Sequence, residues 1–161
     1  MKKILALMIC VLALGCGNAM AQKGVKAVGV NFLYGTEIEK VGVGVKLQYG
    51  VLEHLRLEGA FNYFFKKNET HMWEINVNAH YLFPLADGKL NVYPLAGPTI
   101  VNATTNVGGG LNQSTTKFGL NLGGGLEYNI SEHFAVGFEA RYSIVSKIDQ
   151  AVFNLGATYR F

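Results

Sequence analysis

The sequence predicts an all-β protein: an eight-stranded antiparallel up-and-down barrel that spans a membrane. Three observations carry that prediction. Apolar and polar residues alternate in successive segments, as strands do when their two faces meet different surroundings. The apolar face carries large aromatics near the strand ends, while the other face carries glycine and opposite charges. The last segment keeps its alternation down to Phe161, where a soluble domain usually frays into polar residues.

The N-terminus sets the compartment. Met1-Lys2-Lys3 is basic, Ile4 to Leu14 is apolar, and Ala19-Met20-Ala21 is a small-x-small cleavage pattern. This predicts a secretory signal peptide over residues 1–21, removed to leave a barrel domain at residues 22–161. A rival reading makes Leu14-Gly15-Cys16 a lipoprotein site, but Ala13 suits it poorly. Cys10 and Cys16 both fall in the signal, so the remaining chain has no disulfide or thiol chemistry. Losing Lys2 and Lys3 from 14 Lys and Arg leaves 12 against 11 Asp and Glu. No basic stripe appears, and no nucleic-acid partner is expected.

The first segment opposes Val28, Val30, Phe32 and Tyr34 to Ala27, Gly29 and Asn31. The second opposes Val41, Val43, Val45, Leu47 and Tyr49 to Gly42, Gly44, Lys46 and Gln48. In the third, Leu55, Leu57, Phe61, Tyr63 and Phe65 face away from Arg56, Glu58, Ala60 and Asn62. In the fourth, Trp73, Ile75, Val77, Ala79, Tyr81 and Phe83 oppose Glu74, Asn76, Asn78 and His80. The fifth, about Lys89 to Val101, has no clear polarity, and Pro94 and Pro98 remove ladder donors. It is expected to be a kinked strand of undetermined facing.

The sixth segment opposes Phe118, Leu120, Leu122, Leu126 and Tyr128 to Lys117, Gly119, Asn121, Gly123, Gly125 and Glu127. The seventh sets Phe134, Val136, Phe138, Ala140, Tyr142 and Ile144 against Gly137, Glu139, Arg141 and Ser143. The eighth sets Ala151, Phe153, Leu155, Ala157, Tyr159 and Phe161 against Gln150, Val152, Asn154, Gly156, Thr158 and Arg160. Short turns are expected at Gly50–His54, Pro84–Gly88 and Asn129–His133. Connections at the other end are Gly35–Lys40, Lys66–Thr70, Asn102–Thr116 and Ser146–Asp149, the third of them long and polar. Short turns at one end and longer loops at the other match an outer-membrane barrel with periplasmic turns and both termini periplasmic.

Alternation alone does not distinguish a membrane barrel from a soluble one; the side-chain types do. Tyr34, Tyr49, Phe65, Trp73, Phe83, Phe118, Tyr128, Phe134, Tyr142, Tyr159 and Phe161 form an expected aromatic girdle. Lys46, Arg56, Glu58, Glu74, Glu127, Glu139, Arg141 and Arg160 form an expected lumen charge network. An eight-stranded lumen barely holds its own side chains, so paired charges and glycines fit it better than many aromatics. Strands of about ten residues tilted near 45° also match a bilayer.

Asn154-x-Gly156-x-x-Tyr159-x-Phe161 resembles the C-terminal assembly signal of outer-membrane proteins. Gly119-x-Asn121-x-Gly123-Gly124-Gly125-x-Glu127-Tyr128, with Val136 to Tyr142 after it, is similar to porin-like envelope barrels. From about Val25 to Phe161 the chain resembles small eight-stranded OmpA/OmpX-type barrels. The resemblance implies Sec export, outer-membrane lipid as surroundings, and the barrel assembly machinery and periplasmic chaperones as partners during biogenesis. The chain stops at the barrel, so it lends no support to a cell-wall anchoring role.

No enzyme, cofactor or metal site is expected. Ser131, Glu132 and His133 are adjacent but occupy a turn, and strand neighbours point to opposite faces. His71 and His80 lie nine residues apart on opposite faces, and His54 sits in a turn. Gly108-Gly109-Gly110 joins no strand to a helix and makes no phosphate loop. The expected role is structural or surface-interactive with a closed lumen, with loop 102–116 as a candidate ligand surface. The alternatives are a narrow pore or transporter for small hydrophobic solutes, and a lipid A-modifying enzyme.

Overall fold

Alternation places every second side chain on one side of a sheet, and right-handed twist lets that sheet close on itself. The computed structural model describes residues 23–67, 70–106, 112–146 and 149–161; the expected signal peptide lies outside the described residues. Its strands are β1 (Lys26–Gly35), β2 (Lys40–Gly50), β3 (Leu55–Lys67), β4 (Thr70–Tyr81) and β5 (Phe83–Leu85). They continue with β6 (Leu90–Asn106), β7 (Asn112–Asn129), β8 (Phe134–Val145) and β9 (Gln150–Arg160). Every pairing is antiparallel between neighbours, and β1 with β9 and β4 with β6 complete the circuit.

The wall has eight positions because β5 continues β4. His80 pairs with Leu95 and Phe83 with Val92, one unbroken register on the same edge of β6. The turn expected at Pro84–Gly88 is therefore shorter, since Pro84 and Leu85 belong to the wall. Ala86, Asp87 and Gly88 all adopt positive φ, which reverses the chain tightly into β6. The start of β1, the C-terminal Phe161 and the three short turns lie at one rim, called here the terminal rim. The other connections lie at the opposite, loop rim.

The fifth predicted segment, now β6, acquires a facing. Asn91, Tyr93, Leu95, Thr99 and Val101 point into the lumen, and Pro94 and Pro98 point out. Sequence polarity was blurred because apolar residues occupy both faces there. Pro98 has no N–H, and the β4–β6 ladder skips from Asn76–Thr99 to Ala79–Ala96 without changing register. Gly97 lies in that gap against bare backbone. A Cβ on it would come 2.7 Å from the Asn78 Cα and 2.8 Å from the Val77 carbonyl carbon. Gly97→Ala is therefore expected to destabilise the barrel by about 1–3 kcal/mol through overpacking. Urea unfolding in lipid vesicles measures this, and an unchanged midpoint would refute the close approach.

Near the loop rim Leu33, Phe64, Met72, Val101, Val145 and Val152 form a buried apolar layer, with Ile38 and Ala103 packed against it. Leu82, Tyr93 and Leu95 form a smaller apolar cluster on the β4–β6 wall. Charged and amide side chains fill the rest of the lumen and reach the terminal rim at Glu127 and Arg160.

Candidate functional site

The period of two sends Lys46, Arg56, Glu58, Glu74, Glu127, Glu139 and Arg141 inward, where all are buried. Arg160 joins them from β9, partly exposed near the terminal rim. The network expected from sequence is thus brought together, and its pairs span the barrel. Arg56 Nη1 donates to both carboxylate oxygens of Glu127, at 3.0 and 2.9 Å. Arg160 Nη2 donates to the same Glu127 at 2.6 Å and to Asn129 Oδ1 at 2.7 Å. Lys46 lies 3.6 Å from Glu58, which also accepts from Gln48 at 2.7 Å. Arg141 pairs with Glu74 and lies 3.8 Å from Glu139.

Amides connect these pairs. Asn62 and Asn76 donate to Glu74 at 2.8 and 3.1 Å. Asn121 donates to Asn76 and Asn78, and itself accepts from the Ser143 hydroxyl at 2.7 Å. Four cations (Lys46, Arg56, Arg141, Arg160) face four carboxylates (Glu58, Glu74, Glu127, Glu139), so with neutral His80 this set balances formally. Balance matters because an unpaired charge at such depth is severely penalised.

Two members were absent from the predicted network. His80 stacks on Tyr93 at 4.6 Å, and Arg56 covers the Tyr93 ring at 5.2 Å. The Tyr93 hydroxyl donates to Glu139 at 3.3 Å. The alternation of β4 does put His80 beside Asn76 and Asn78 on the inward face. Tyr93 left no signal, because its strand had no readable polarity.

Ligand atoms of Glu58, His80 and Glu139 lie within 4.8 Å of one another, a donor set with cation-binding chemistry. Arg56 Nη2 lies 3.3 Å from His80 Nδ1. A guanidinium only donates, so Nδ1 accepts and the neutral ring carries its proton on Nε2. That nitrogen is 3.9 Å from Glu58 Oε1. Ligation through Nε2 would move the proton to Nδ1, against Arg56. With Lys46 and Arg141 also at the carboxylates, the chemistry favours an ion-pair cluster over a metal centre.

His71 and His80 do fall on opposite faces: His71 stacks on outward Tyr63 at 6.4 Å, while His80 is in the lumen. Ser131, Glu132 and His133 occupy the β7–β8 turn, where the Ser131 hydroxyl accepts from the Phe134 N–H at 3.1 Å. His133 stacks on Tyr159 at 6.0 Å, and His54 on Tyr81 at 6.1 Å. Gly108, Gly109 and Gly110 lie outside the described residues.

The outward face holds the expected rings. Tyr49, Phe83, Tyr128, Phe134, Tyr159 and Phe161 gather toward the terminal rim. Tyr34, Phe65, Trp73, Phe118 and Tyr142 gather toward the loop rim. Trp73 and Phe83 are half-buried against Phe61 and Tyr81, at 6.2 and 4.9 Å. Of the C-terminal residues Asn154, Gly156, Tyr159 and Phe161, the first two face the lumen and the last two the outside. The Phe161 N–H donates to the Lys26 carbonyl at 3.0 Å across the seam.

The expected loop 102–116 requires correction. Residues 102–106 extend β6 and residues 112–116 begin β7, paired continuously to Asn106–Asn112. Polar Ser, Thr and Asn read as loop formers, yet here they cross-link a raised hairpin. Asn102 Nδ2 donates to Ser114 at 2.9 Å and to Thr116 at 2.8 Å. β7 meets β8 only from Gly119 onward, so among the described residues 112–118 pair with β6 alone. Lys117 ties the base of that free edge to the Ser146 carbonyl at 2.5 Å.

A closed sheet of eight wall positions, with charges inside and an aromatic-rimmed apolar exterior, defines a transmembrane β-barrel. Residues 9–161 match the model of the outer membrane protein beta-barrel domain family, and the chain belongs to that family. Its fold is similar to the N-terminal β-barrel domain of Pseudomonas aeruginosa OprF. That match has TM-score 0.75 and 17% identity, covering 86% of this chain and 98% of that one. It is also similar to Ail, the attachment invasion locus protein of Yersinia pestis, with TM-score 0.62 and 20% identity over 86% and 99% of the two chains. The outer membrane protein OprG of Pseudomonas aeruginosa matches with TM-score 0.68 and 10% identity over 90% and 99%. No curated protein matches the sequence.

Proposed function

We propose that the protein is a non-enzymatic integral outer-membrane barrel whose lumen is closed and whose role is structural or surface-interactive. The observation that carries this reading is the interior itself: a cross-paired polar network filling the lumen beneath a buried apolar layer at the loop rim. An ion crossing it would have to shed water among Leu33, Phe64 and Met72 and break buried ion pairs. Purified protein in planar bilayers is expected to give no steady conductance. A steady open conductance abolished by changes at Arg56 or Glu74 would overturn the closed lumen and favour the narrow-pore alternative.

In this reading residues 1–21 direct Sec export and are removed, and the terminal rim faces the periplasm. The aromatic rings at the two rims anchor the barrel at the membrane interfaces. Periplasmic chaperones deliver the chain, and the assembly machinery reads Asn154, Gly156, Tyr159 and Phe161. The lipid A-modifying alternative loses support because the hydroxyl of Ser131 serves its own turn.

Surface interaction has a specific support in the raised β6–β7 hairpin. An unpaired strand edge accepts an extended peptide by main-chain hydrogen bonds. Residues 112–118 offer such an edge at the loop rim, carried on a hairpin braced by Asn102. Ail of Yersinia pestis has been solved in complex with the heparin analogue sucrose octasulfate.

A further inference from the structure

We propose that the outward face at the base of the β6–β7 hairpin binds the neutral sugar ring of a glycolipid headgroup. The proposal rests on the membrane-embedded reading with the loop rim in the outer leaflet, and it names a ligand for that surface. Strand register stacks three outward rows there. Ile75, Ile100 and Phe118 pair across β4, β6 and β7 as an apolar row. One row nearer the loop rim, Tyr63, Trp73, Asn102 and Thr116 pair across β3, β4, β6 and β7. Above them stand His71, Thr104 and Ser114. The order from the bilayer outward is hydrocarbon, rings with an amide, then hydroxyls.

One side chain organises the polar part. Asn102 is only 7% exposed although its parity is outward. Its Nδ2 donates to the Ser114 and Thr116 hydroxyls, and its Oδ1 accepts from Thr104 and Ser114 at 3.2 and 3.3 Å. Ser114 and Thr116 are themselves exposed. The buried amide therefore fixes surface hydroxyls that keep further lone pairs, and at Thr116 the proton, for a ligand. Groups held in place beforehand lose little freedom on binding.

The rings supply the other half. Tyr63, His71 and Trp73 are half-buried, so part of each ring meets the surroundings. Trp73 lies near-parallel to Phe61 at 6.2 Å and Tyr63 to His71 at 6.4 Å, offsets too wide for one ring to cover the other. An aromatic face is negative, and it attracts the C–H face of a sugar, which its hydroxyls polarise. Strands are about 4.8 Å apart, so Trp73 and Thr116 stand about 10 Å apart, with room for a sugar face on the ring and its hydroxyl edge on the hairpin. None of these side chains is a carboxylate, lysine or arginine, so a phosphate is not the group recognised. Lys117 has inward parity and is bound to the Ser146 carbonyl. The apolar row identifies the source. A glycolipid with its sugar at Trp73 lays its tails on Ile75, Ile100 and Phe118, whereas a soluble saccharide leaves Phe118, 76% exposed, uncovered.

Trp73 is the sole tryptophan of the chain, so its emission reads the site. The test titrates dioleoylglycerol bearing a single glucose into the folded protein in dodecylphosphocholine micelles. A saturable emission shift is expected, with none from dioleoylphosphatidylethanolamine. Asn102→Ala releases the hydroxyls and is expected to weaken half-saturation about tenfold, the effect of losing a hydrogen bond or two. Ser114→Ala, on the exposed hairpin, is the second variant should the first fold poorly, with a shift in the same direction. Leu47→Phe, on β2, is expected to titrate as wild type. Absence of a shift, an equal shift with the phospholipid, or unchanged half-saturation in both hairpin variants overturns the proposal. An equal response to free glucose overturns it too, by assigning the site to soluble sugars. If wild type lacks heat-modifiable gel migration, the membrane-barrel reading fails instead.

Discussion

Replacing Glu127 with Gln is expected to destabilise the folded barrel by about 3–5 kcal/mol, the usual cost of breaking a buried ion pair from one side. Glu127 is the shared acceptor of two guanidinium groups, Arg56 from the wall opposite and Arg160 from β9. Glutamine keeps the shape and one acceptor oxygen but leaves both cations without their counter-charge. Arg56 is buried against the Tyr93 ring. The loss should appear as a lower urea midpoint in lipid vesicles with an unchanged slope. Adding Arg56→Met should recover much of it, because the stranded charge is then gone. Arg160, closer to the rim, can turn outward. A loss below about 1 kcal/mol, the range of exposed pairs, would show that water enters the lumen freely.

Deleting Phe161 is expected to remove most of the protein from the outer membrane while leaving the finished barrel nearly as stable. In the closed barrel Phe161 contributes one seam hydrogen bond, at 3.0 Å to Lys26, and a side chain 70% exposed on the outside. Losing one such bond costs about 0.5–1.5 kcal/mol. That is too little to unfold a sheet closed by nine β1–β9 pairs from Ala27–Arg160 to Gly35–Val152. A large loss in cells combined with efficient refolding in vesicles would therefore locate the effect in assembly. Immunoblots of outer-membrane fractions and heat-modifiable refolding assays give the two readouts. Normal surface levels of the truncation would contradict the role assigned to the C-terminal residues.

The eight lumen charges were legible because a strand assigns its faces by parity. Once Glu58 is inward, Arg56 must be too. What parity does not give is the partner. Arg56 and Glu127 are 71 positions apart and meet only because β3 and β7 stand across the lumen. The inward apolar layer was missed for a different reason. Leu33, Phe64 and Met72 are apolar residues at inward positions near strand ends, so hydropathy does not set them apart from the outward row. Their parity is inward, and no long-range signal says that they converge.

The facing of the fifth predicted segment stayed open, and the long loop was misread, for related reasons. Tyr93 and Leu95 put apolar residues inside while Pro94 and Pro98 sit outside, so hydropathy carried no face. Asn102, Thr104, Ser114 and Thr116 have turn-forming chemistry, yet pair as strand because each finds a polar partner across the hairpin. Local preference lost to a cross-strand ladder that only the folded hairpin assembles.

The sequence by itself determined the barrel, its eight wall positions, the lipid-facing and lumen-facing sets, and the rim that gathers the termini. These follow from a period of two, which each strand expresses locally. The tertiary structure alone decided which charges pair, where the buried apolar clusters gather, and how far the β6–β7 hairpin rises. Each of those depends on register between strands distant in sequence, and register is set only when the sheet closes.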